Sequence, residues 1–337
     1  MAAHAGAEFV PIPITQDDLA NHFAEAAWHA EMLCFNAHGV AKFILSRAVR
    51  DAGYKVVLTG EGSDEILAGY PHFRRDMLLY NNRGQDPADV RELLDELERG
   101  NPVSKGTLLP SGRTVPVESA RLLLEFVPSW IETWAAQAYR MRELFSAQFR
   151  AEFEAADSYR GLLDSLDYWR QLNGREPVHQ SLYLWGKTFL PNYILTILGD
   201  RMEMGHSIEA RLPFLDHHVV EQVCSLPVSL KIRGMTEKYL LREAARPVLT
   251  DTVYRRQKHP FLSPPAAFDP KARLGMLLQD TLRGSSFASL SFFDQRKVVA
   301  LLDALPAMDV GERTVVDSTL MLVLSAAVLH ERFALQL

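Results

Sequence analysis

Residues 55–65, with the sequence KVVLTGEGSDE, constrain the fold of this chain most strongly. The stretch begins with a short β-branched apolar run, passes through Gly60 and Gly62, and continues into acidic residues and a hydroxyl. This order predicts a buried strand, a tight loop and the start of a helix. In open α/β sheets, small ligands bind beyond the carboxyl ends of such strands. We therefore predict an α/β protein with a ligand site at this loop.

The acids of the loop indicate a site for a metal-bound nucleotide. The two glycines let the backbone turn sharply and approach a ligand, and Ser63 or Asp64 is a candidate cap for the following helix. Glu61, Asp64 and Glu65 would repel phosphate unless a divalent cation lies between them, and Mg²⁺ prefers hard oxygen ligands. The alternative is an ordinary acidic turn between a strand and a helix.

Composition predicts a soluble globular protein. The chain has 337 residues, of which 47% are hydrophobic, and this is enough to bury a large core. The net charge of −6 gives no basic surface for nucleic acid or an anionic membrane, so the expected partners are small molecules or proteins. Cys34 and Cys224 match no metal or redox spacing, which favours a cytoplasmic setting with two buried, reduced thiols. The apolar run 320–329 is too short to span a membrane.

The remaining pattern predicts many helices and few strands. Residues 9–14 are restricted by their prolines to an edge strand, and Thr15-x-x-Asp18 predicts a capped helix. Residues 70–75 form either a phosphate-facing patch or the solvated end of a helix, and we favour the latter. Residues 100–116 are rich in Gly, Pro, Ser and Thr and are the best internal break, either a connector or a lid.

These breaks divide the chain into three predicted parts. Residues 1–82 form the remaining part of a nucleotide-binding α/β domain. Residues 83–128 form a connector that can include a lid. Residues 129–337 form a helical part of the same domain and carry the segments that contact substrate and phosphate.

Aromatic residues are concentrated in the helical pattern between residues 117 and 198. We interpret them as core and helix-packing residues rather than as a stacking platform. They are Trp130, Trp134, Tyr139, Phe145, Phe149, Phe153, Tyr168, Trp169, Tyr183 and Trp185.

Two later segments place charged residues among apolar ones. Glu209 and Arg211 alternate with apolar neighbours, so an extended segment points both side chains the same way. They either bind the ammonium and carboxylate of an amino acid or form a buried structural ion pair. Lys238 and Lys258 are candidate phosphate clamps that follow charge onto a leaving pyrophosphate. The alternative is that each is a surface charge.

Taken in order, these segments resemble the C-terminal synthetase domain of the glutamine-dependent asparagine synthetase family. The resemblance covers most of the chain from about residue 9 to residue 264. It implies a helix-rich α/β fold, a partial N-type ATP pyrophosphatase fold with an incomplete parallel sheet and a large α-helical part. The matching motifs are VLTGEGSDE at 57–65, AGY at 68–70, DRM at 200–202, SIEARLPFLD at 207–216, EKYLLR at 237–242 and RQK at 256–258.

The resemblance also implies an activity, the ATP-dependent formation of an amide with Mg²⁺. Aspartate would be activated at its side-chain carboxylate as β-aspartyl-AMP and then attacked by ammonia released from glutamine. Specialised amide ligases that form β-lactams or macrocycles, and a non-catalytic partner subunit, are the alternatives. Carried over by position, the resemblance assigns ATP contacts to Thr59, Gly60, Gly62 and Ser63, metal binding to Asp64, and catalysis to Glu61, Lys238 and Lys258. Glu209 and Arg211 remain candidate substrate contacts from their alternation alone.

The sequence departs from the family pattern in one important respect. The family's Ser-Gly-Gly-x-Asp-Ser pyrophosphate loop does not occur in these 337 residues, and neither does the glutaminase half. Three interpretations stay open: a fragment of a longer protein, one half of a split enzyme whose partner chain supplies the loop and ammonia, or a scaffold without adenylation. We expect this chain alone to make no asparagine, and we expect it to pair with such a chain or with itself.

Overall fold

In the computed structural model, the described residues are 1–82, 85–111, 114–258, 260, 261, 263 and 265–335. Helices dominate this part of the chain, and they surround a small parallel sheet of two strands. The predicted helix-rich α/β class with a small sheet is therefore confirmed. Residues 83, 84, 112 and 113 of the predicted connector lie outside the described residues.

The N-terminal part runs through two helices into the central strand. Helix α1 begins at the predicted capping box, where the Asp18 N–H donates to Thr15 Oγ1 at 3.2 Å and the Thr15 N–H donates to Asp18 Oδ2 at 2.9 Å. This box satisfies two otherwise unpaired amides of the first turn. The elements are α1 (Gln16–Ala30), α2 (His38–Asp51), β1 (Val56–Leu58), α3 (Ser63–Ile66), α4 (Pro71–Tyr80) and α5 (Pro87–Gly100).

The middle of the chain is helical, as the pattern predicts. Its helices are α6 (Glu118–Leu124), α7 (Ser129–Leu144), α8 (Ala147–Glu152), α9 (Ser158–Asp164), α10 (Tyr168–Gln171) and α11 (Pro177–Lys187). Two π-helical turns follow, Leu190–Ile194 and Thr196–Asp200, with a break in the helical backbone at Gly199. Such π-turns occur frequently at functional sites.

The C-terminal part returns to the sheet and then closes the core. Its elements are α12 (Arg201–Met204), β2 (Glu209–Arg211), α13 (His217–Cys224), α14 (Val228–Lys231), β3 (Ile232–Arg233), β4 (Thr236–Glu237), α15 (Tyr239–Ala245), α16 (Asp251–Arg255), α17 (Arg273–Arg283), α18 (Ser285–Ala288), α19 (Gln295–Ala304) and α20 (Val310–Phe333). Single 3₁₀ turns lie at Pro102–Ser104, Pro213–Leu215, Arg246–Val248, Ala266–Phe268 and Leu305–Ala307.

The parallel pairing of β1 with β2 holds the acidic loop in place. Val57 lies opposite Ala210, and just beyond the strand the Thr59 N–H donates to the Arg211 carbonyl at 3.0 Å. Among the described residues this sheet has only these two strands, and Leu58 is 75% exposed. The prediction that this strand is buried is therefore wrong, since Val56 is also 38% exposed. Because parallel sheets are normally covered on both faces, the exposed Leu58 marks an uncovered part of the sheet.

Two main hydrophobic clusters form the core. The first packs α1 and α2 against α17, α19 and α20, and the second packs α4 against α7 and α11. Residues 1–82 contribute to both clusters, so they share their core with the helical part. The boundaries proposed at 82 and 128 stay a prediction.

Helix α20 is long and apolar enough to cross a membrane by length and composition. However, 67% of its apolar window is buried inside the protein, where Leu320, Val323 and Leu324 have no exposed surface. The helix extends well beyond the predicted run 320–329 at both ends. It packs as a core helix in the first hydrophobic cluster.

Some local predictions are wrong. Residues 9–14 form no strand, and Phe9 is 75% exposed because no neighbouring strand covers it. Residues 70–75 are not a solvated helix end, because His72 and Phe73 are fully buried at the start of α4. A segment of mixed aromatic and basic residues is expected to be exposed from its sequence. It can nevertheless be buried when its basic groups pair with buried acidic residues.

Three exposed side chains also differ from expectation. Cys34 is buried as predicted, but Cys224 is exposed at the end of α13. Trp169 lies 76% exposed on α10, and Phe153 is 47% exposed, so neither is a core residue. Trp169 lies within the short helix α10 and Phe153 at the end of the short helix α8, and neither helix has a buried residue.

Candidate active site

Asp64 lies between two lysines that are far from it in sequence. Its Oδ1 is 2.8 Å from Nζ of Lys238, and its Oδ2 is 3.1 Å from Nζ of Lys258. Asp64 belongs to α3 directly after the strand β1, whereas Lys238 follows β4 and Lys258 follows α16. The tertiary fold therefore collects one carboxylate and two ammonium groups at the carboxyl end of β1.

Glu237 fixes the backbone that carries both lysines. Its carboxylate is 3% exposed, and its Oε1 accepts hydrogen bonds from the Arg242 guanidinium and from the Lys258 N–H at 3.1 Å. Its Oε2 lies 3.6 Å from the guanidinium of Arg74 on α4. Lys238 itself has a left-handed φ of 49°, an uncommon conformation for a lysine that its surroundings must hold.

Glu61 faces a third lysine, the half-buried Lys42 on α2. Nζ of Lys42 donates to Oε1 of Glu61 at 2.7 Å. Burial is the largest single influence and opposes ionisation of Glu61, but the hydrogen bonds from Lys42 and Thr59 together with the charge of Lys42 outweigh it and lower the pKa of the carboxyl. Close by on α12, burial raises the pKa of Glu203 to about 7, against the opposing charge of Lys42. Sequence reasoning missed Lys42, although a single lysine within the apolar run 40–45 was an available signal.

The start of α3 differs from the predicted capping by Ser63 or Asp64. The N-cap is Gly62, whose N–H donates to Glu65 Oε2 at 2.9 Å, and Glu65 Oε1 accepts from the Tyr70 hydroxyl at 2.6 Å. Gly62 has a φ of +94°, and a Cβ there would also clash with the Leu215 side chain. Glycine is thus required at this turn. The side chain of Asp64 is left free to face the lysines.

A cavity of about 1130 Å³ opens over these groups. One end is polar, and the other is bounded by an aromatic wall, which we define as Phe35, Trp134, Trp185, Phe189 and Tyr193. The volume exceeds the roughly 300–1,000 Å³ typical of a site for one small molecule. The cavity therefore has room for a nucleotide and a second substrate together.

The cavity is lined by most, but not all, of the predicted site residues. Thr59 and Gly62 belong to the same loop without lining the cavity. Glu209 and Arg211 also lie outside its lining. The residues that line it are Gly60, Glu61, Ser63, Asp64, Lys238 and Lys258. The roles assigned to all ten residues stay predictions.

Glu209 and Arg211 project from the same side of β2, as their alternation predicts. They form an ion pair of 2.9 Å with each other, and each side chain is 62% exposed. The alternative of a buried ion pair is therefore wrong. An exposed pair of this kind contributes little to stability, about 0–1 kcal/mol.

The donor groups suit Mg²⁺ bound together with phosphates. Within the ranges that the structure describes, no group of three or more His, Cys, Asp or Glu side chains is arranged to hold a metal ion. Mg²⁺ usually takes one or two carboxylates and fills its other positions with waters and substrate phosphates. Asp64, with Glu61 beside it in the cavity lining, fits that mode.

Together, fold and site define a helix-rich α/β protein with an acid and lysine cluster at the end of a parallel strand. The family model described as asparagine synthase matches residues 1–331. The chain belongs to the asparagine synthase family.

Individual relatives fall into two groups. The chain is 31% identical over 302 residues to amidase chyE of Penicillium rubens, which covers 86% of this chain and 44% of that protein. It is 29% identical over 314 residues to amidase chry2 of Gibberella zeae, and the match covers 88% of this chain and 45% of that protein. It is 24% identical over 263 residues to asparagine synthetase [glutamine-hydrolyzing] 1 of Bacillus subtilis, and the match covers 78% of this chain and 39% of that protein. The chain thus spans less than half the length of these curated relatives.

Proposed function

We propose that this chain carries the site of an ATP-dependent carbon–nitrogen ligase, which activates a carboxylate as an acyl-adenylate for attack by ammonia. One observation carries the proposal: Asp64 contacts both Lys238 and Lys258 in the cavity that Glu61 also lines. Membership of the asparagine synthase family supports it. The predicted roles of Thr59, Gly60, Gly62 and Ser63 as nucleotide contacts belong to the same proposal.

In the first step, an oxygen of the substrate carboxylate attacks the α-phosphorus of ATP. The new C–O–P linkage forms while the bond to pyrophosphate breaks, and pyrophosphate leaves with the electron pair. Lys238 and Lys258 exchange Asp64 for the phosphate oxygens and stabilise the charge that builds on the leaving group. Asp64 then becomes available to Mg²⁺, which supplies further positive charge at the phosphates.

In the second step, the nitrogen of ammonia attacks the acyl carbon. The C–N bond forms, the C–O bond to AMP breaks, AMP leaves with the electron pair, and the nitrogen loses one proton to solvent to give the neutral amide. Glu61, kept ionised by Lys42, lies in the same cavity and assists formation of the acyl-adenylate and approach of the amine. Ammonia derived from glutamine is the proposed nitrogen source.

The carboxylate is aspartate in the simplest form of this proposal, with Glu209 and Arg211 holding its α-groups. A specialised amide ligase that acts on another carboxylate is the second candidate. Two observations favour it: Glu209 and Arg211 lie outside the cavity lining and pair with each other. The similarity to two amidases also favours it.

We further propose that the site works with a pyrophosphate-loop segment and a glutaminase in the cytoplasm. The two-stranded sheet supports this, because β1 has an unpaired edge among the described residues, and another parallel strand paired there would bring its loop to the carboxyl end of β1. Such a segment can come from a longer form of the chain or from a partner chain. A homo-oligomer is the alternative assembly.

Exchange of labelled pyrophosphate into ATP tests the ligase proposal. The assay contains Mg²⁺ and a panel of carboxylates, and it is run with the chain alone and with any co-purified partner. We expect Lys258→Ala to reduce exchange at least 100-fold, because the positive charge opposite the leaving group is lost. The matched control is Lys271→Ala, which removes an exposed lysine outside the cavity and should leave the rate unchanged.

Each outcome separates the candidates. Exchange that depends on Lys258 supports the ligase, and the carboxylate that promotes it identifies the substrate. Stable co-purification with a partner, without Mg²⁺-ATP binding or exchange under any condition, would instead identify a non-catalytic subunit. Equal exchange by Lys258→Ala and Lys271→Ala would disprove the role of the lysine cluster.

A further inference from the structure

The aromatic wall is a continuous set of contacting rings. Trp185 and Phe189 are stacked, with centroids 4.2 Å apart and planes inclined by 7°. Trp134 lies 5.0 Å from Phe189 and 4.7 Å from Phe35, and Tyr193 lies 4.4 Å from Phe35. These separations are typical of favourable aromatic pairs. The rings therefore hold one another in place while they line the cavity.

Regular elements position this wall. Trp134 belongs to α7 and Trp185 to α11. Phe189 directly precedes the first π-helical turn, and Tyr193 lies within that turn. The π-turn thus brings a third element of the chain to the wall. The four rings on helical elements give a fixed apolar surface. Phe35 lies in the loop between α1 and α2, where its ring packs against Trp134 and Tyr193.

Tyr70 connects the wall to the lysine cluster. Its ring centroid is 5.6 Å from that of Trp185, and Nζ of Lys258 lies 5.9 Å from the centre of the same ring. A ligand group at Lys258 and a ring at the wall are therefore separated by about the width of one aromatic side chain. A compact acid can reach both regions at once.

The polar groups next to the wall are uncharged. Asn36 Nδ2 donates to the Tyr193 hydroxyl at 2.9 Å, and this hydroxyl lies 3.2 Å from Nδ1 of His38. Burial lowers the pKa of His38 to about 4, so the imidazole is neutral at pH 7. This trio can bind a neutral polar substituent of a ligand, but it offers no charge to an ammonium or a second carboxylate.

Aspartate is poorly matched to such surroundings. Its ammonium and second carboxylate need charged partners, and unpaired charges are costly to bury. Other charged residues also line the cavity, including Glu98, Arg99 and Lys105. However, Glu61 and Asp64 pair with lysines, Glu98 pairs with Lys105, and the five residues of the wall carry no charge at neutral pH. A flat apolar body would instead gain contact area with the rings.

We propose that the carboxylate activated here belongs to an aromatic acid, whose ring packs against the aromatic wall while its carboxylate points toward the α-phosphate of the nucleotide, on the side opposite the pyrophosphate held by Lys238 and Lys258. This inference rests on the proposed ligase function and names its class of substrate. It also assigns Trp134 and Phe35 to substrate selection.

Binding measured by titration calorimetry without nucleotide tests the inference. The probes are benzoate, indole-3-carboxylate and aspartate, and Mg²⁺-ATP is titrated separately. We expect the two aromatic acids to bind more tightly than aspartate. Trp134→Leu should weaken binding of indole-3-carboxylate at least tenfold and leave the affinity for Mg²⁺-ATP unchanged. The matched control, Trp169→Leu, removes an exposed tryptophan outside the cavity and should change neither affinity.

Three results would overturn the inference. They are aspartate binding as tightly as the aromatic acids, an unchanged affinity for indole-3-carboxylate in Trp134→Leu, and a parallel loss of Mg²⁺-ATP affinity, which would place adenine at the wall. If Trp134→Leu unfolds, Phe35→Leu repeats the test at the neighbouring ring. The inference can fail alone: aspartate-dependent exchange that needs Lys258 would support the ligase while refuting an aromatic substrate. If the ligase proposal itself is wrong, no acid will promote pyrophosphate exchange.

Discussion

Substitution of Glu237 by Gln should destabilise the protein strongly. The carboxylate is 3% exposed and Arg74 beside it is 4% exposed, so Gln would leave a buried guanidinium without its counter-charge. Removing one partner of a buried ion pair typically costs about 3–5 kcal/mol. Arg242 is more exposed than Arg74 and can recover part of its hydration, so the expected cost lies at the lower end of this range. We expect a loss of about 3 kcal/mol in the free energy of unfolding.

Urea denaturation followed by tryptophan fluorescence measures this loss. The matched control is Asp164→Asn, which breaks the ion pair between Arg160 and Asp164, where both side chains are more than 60% exposed. Exposed pairs on one helix are worth about 0.3–0.5 kcal/mol, so the control should hardly change the urea midpoint. Equal, small losses in both variants would refute the conclusion that burial gives Glu237 its importance.

The same substitution has a functional consequence. Glu237 accepts from the Lys258 N–H and directly precedes Lys238, so a weakened network should release both lysines from their positions near Asp64. At temperatures where Glu237→Gln remains folded, we expect weaker Mg²⁺-ATP binding than in the wild type. Unchanged binding would show that the lysines are held by other contacts.

Two further predictions concern buried groups near the cavity. Burial raises the pKa of Asp317 to about 7 from 3.8. Its neutral form is therefore favoured in the folded state, and the stability it contributes is fully present below pH 3.8 and is lost as pH rises through 7. Relative to Asp317→Asn, the wild type should lose about 3 kcal/mol of unfolding free energy between pH 5 and 8, and parallel stability curves would contradict this. At Gly69, a Cβ would lie 2.8 Å from Cγ and 3.0 Å from Cα of Asp64, so Gly69→Ala should displace Asp64 and lower both the melting temperature and Mg²⁺-ATP affinity. Gly161→Ala, in a helix with open space around it, is the control, and equal behaviour of the two variants would contradict the prediction.

Features that depend on neighbouring residues could be predicted from the sequence. The capping box between Thr15 and Asp18 forms as expected, because both partners lie within one helical turn. The strand, glycine loop and acidic helix at 55–65 also form, because β-branching and glycine act locally. Even here, the exact cap was mistaken, since Glu65 folds back on Gly62.

The motifs also indicated which distant residues belong to one site, but not how they meet. Lys238 and Lys258 were selected by resemblance, and their contact with Asp64 arises only when β4 and the segment after α16 pack against α3. The partner of Glu61 is Lys42, which no motif indicated.

Burial and the shape of the cavity were decided by the tertiary structure. Trp169 and Trp134 are the same residue type in similar helical patterns, yet one is exposed and the other forms part of the aromatic wall. The sequence determined the local elements and the chemical identity of the acidic loop. Only the fold decided which side chains share a cavity, because burial and proximity depend on packing between segments that are separated in the sequence.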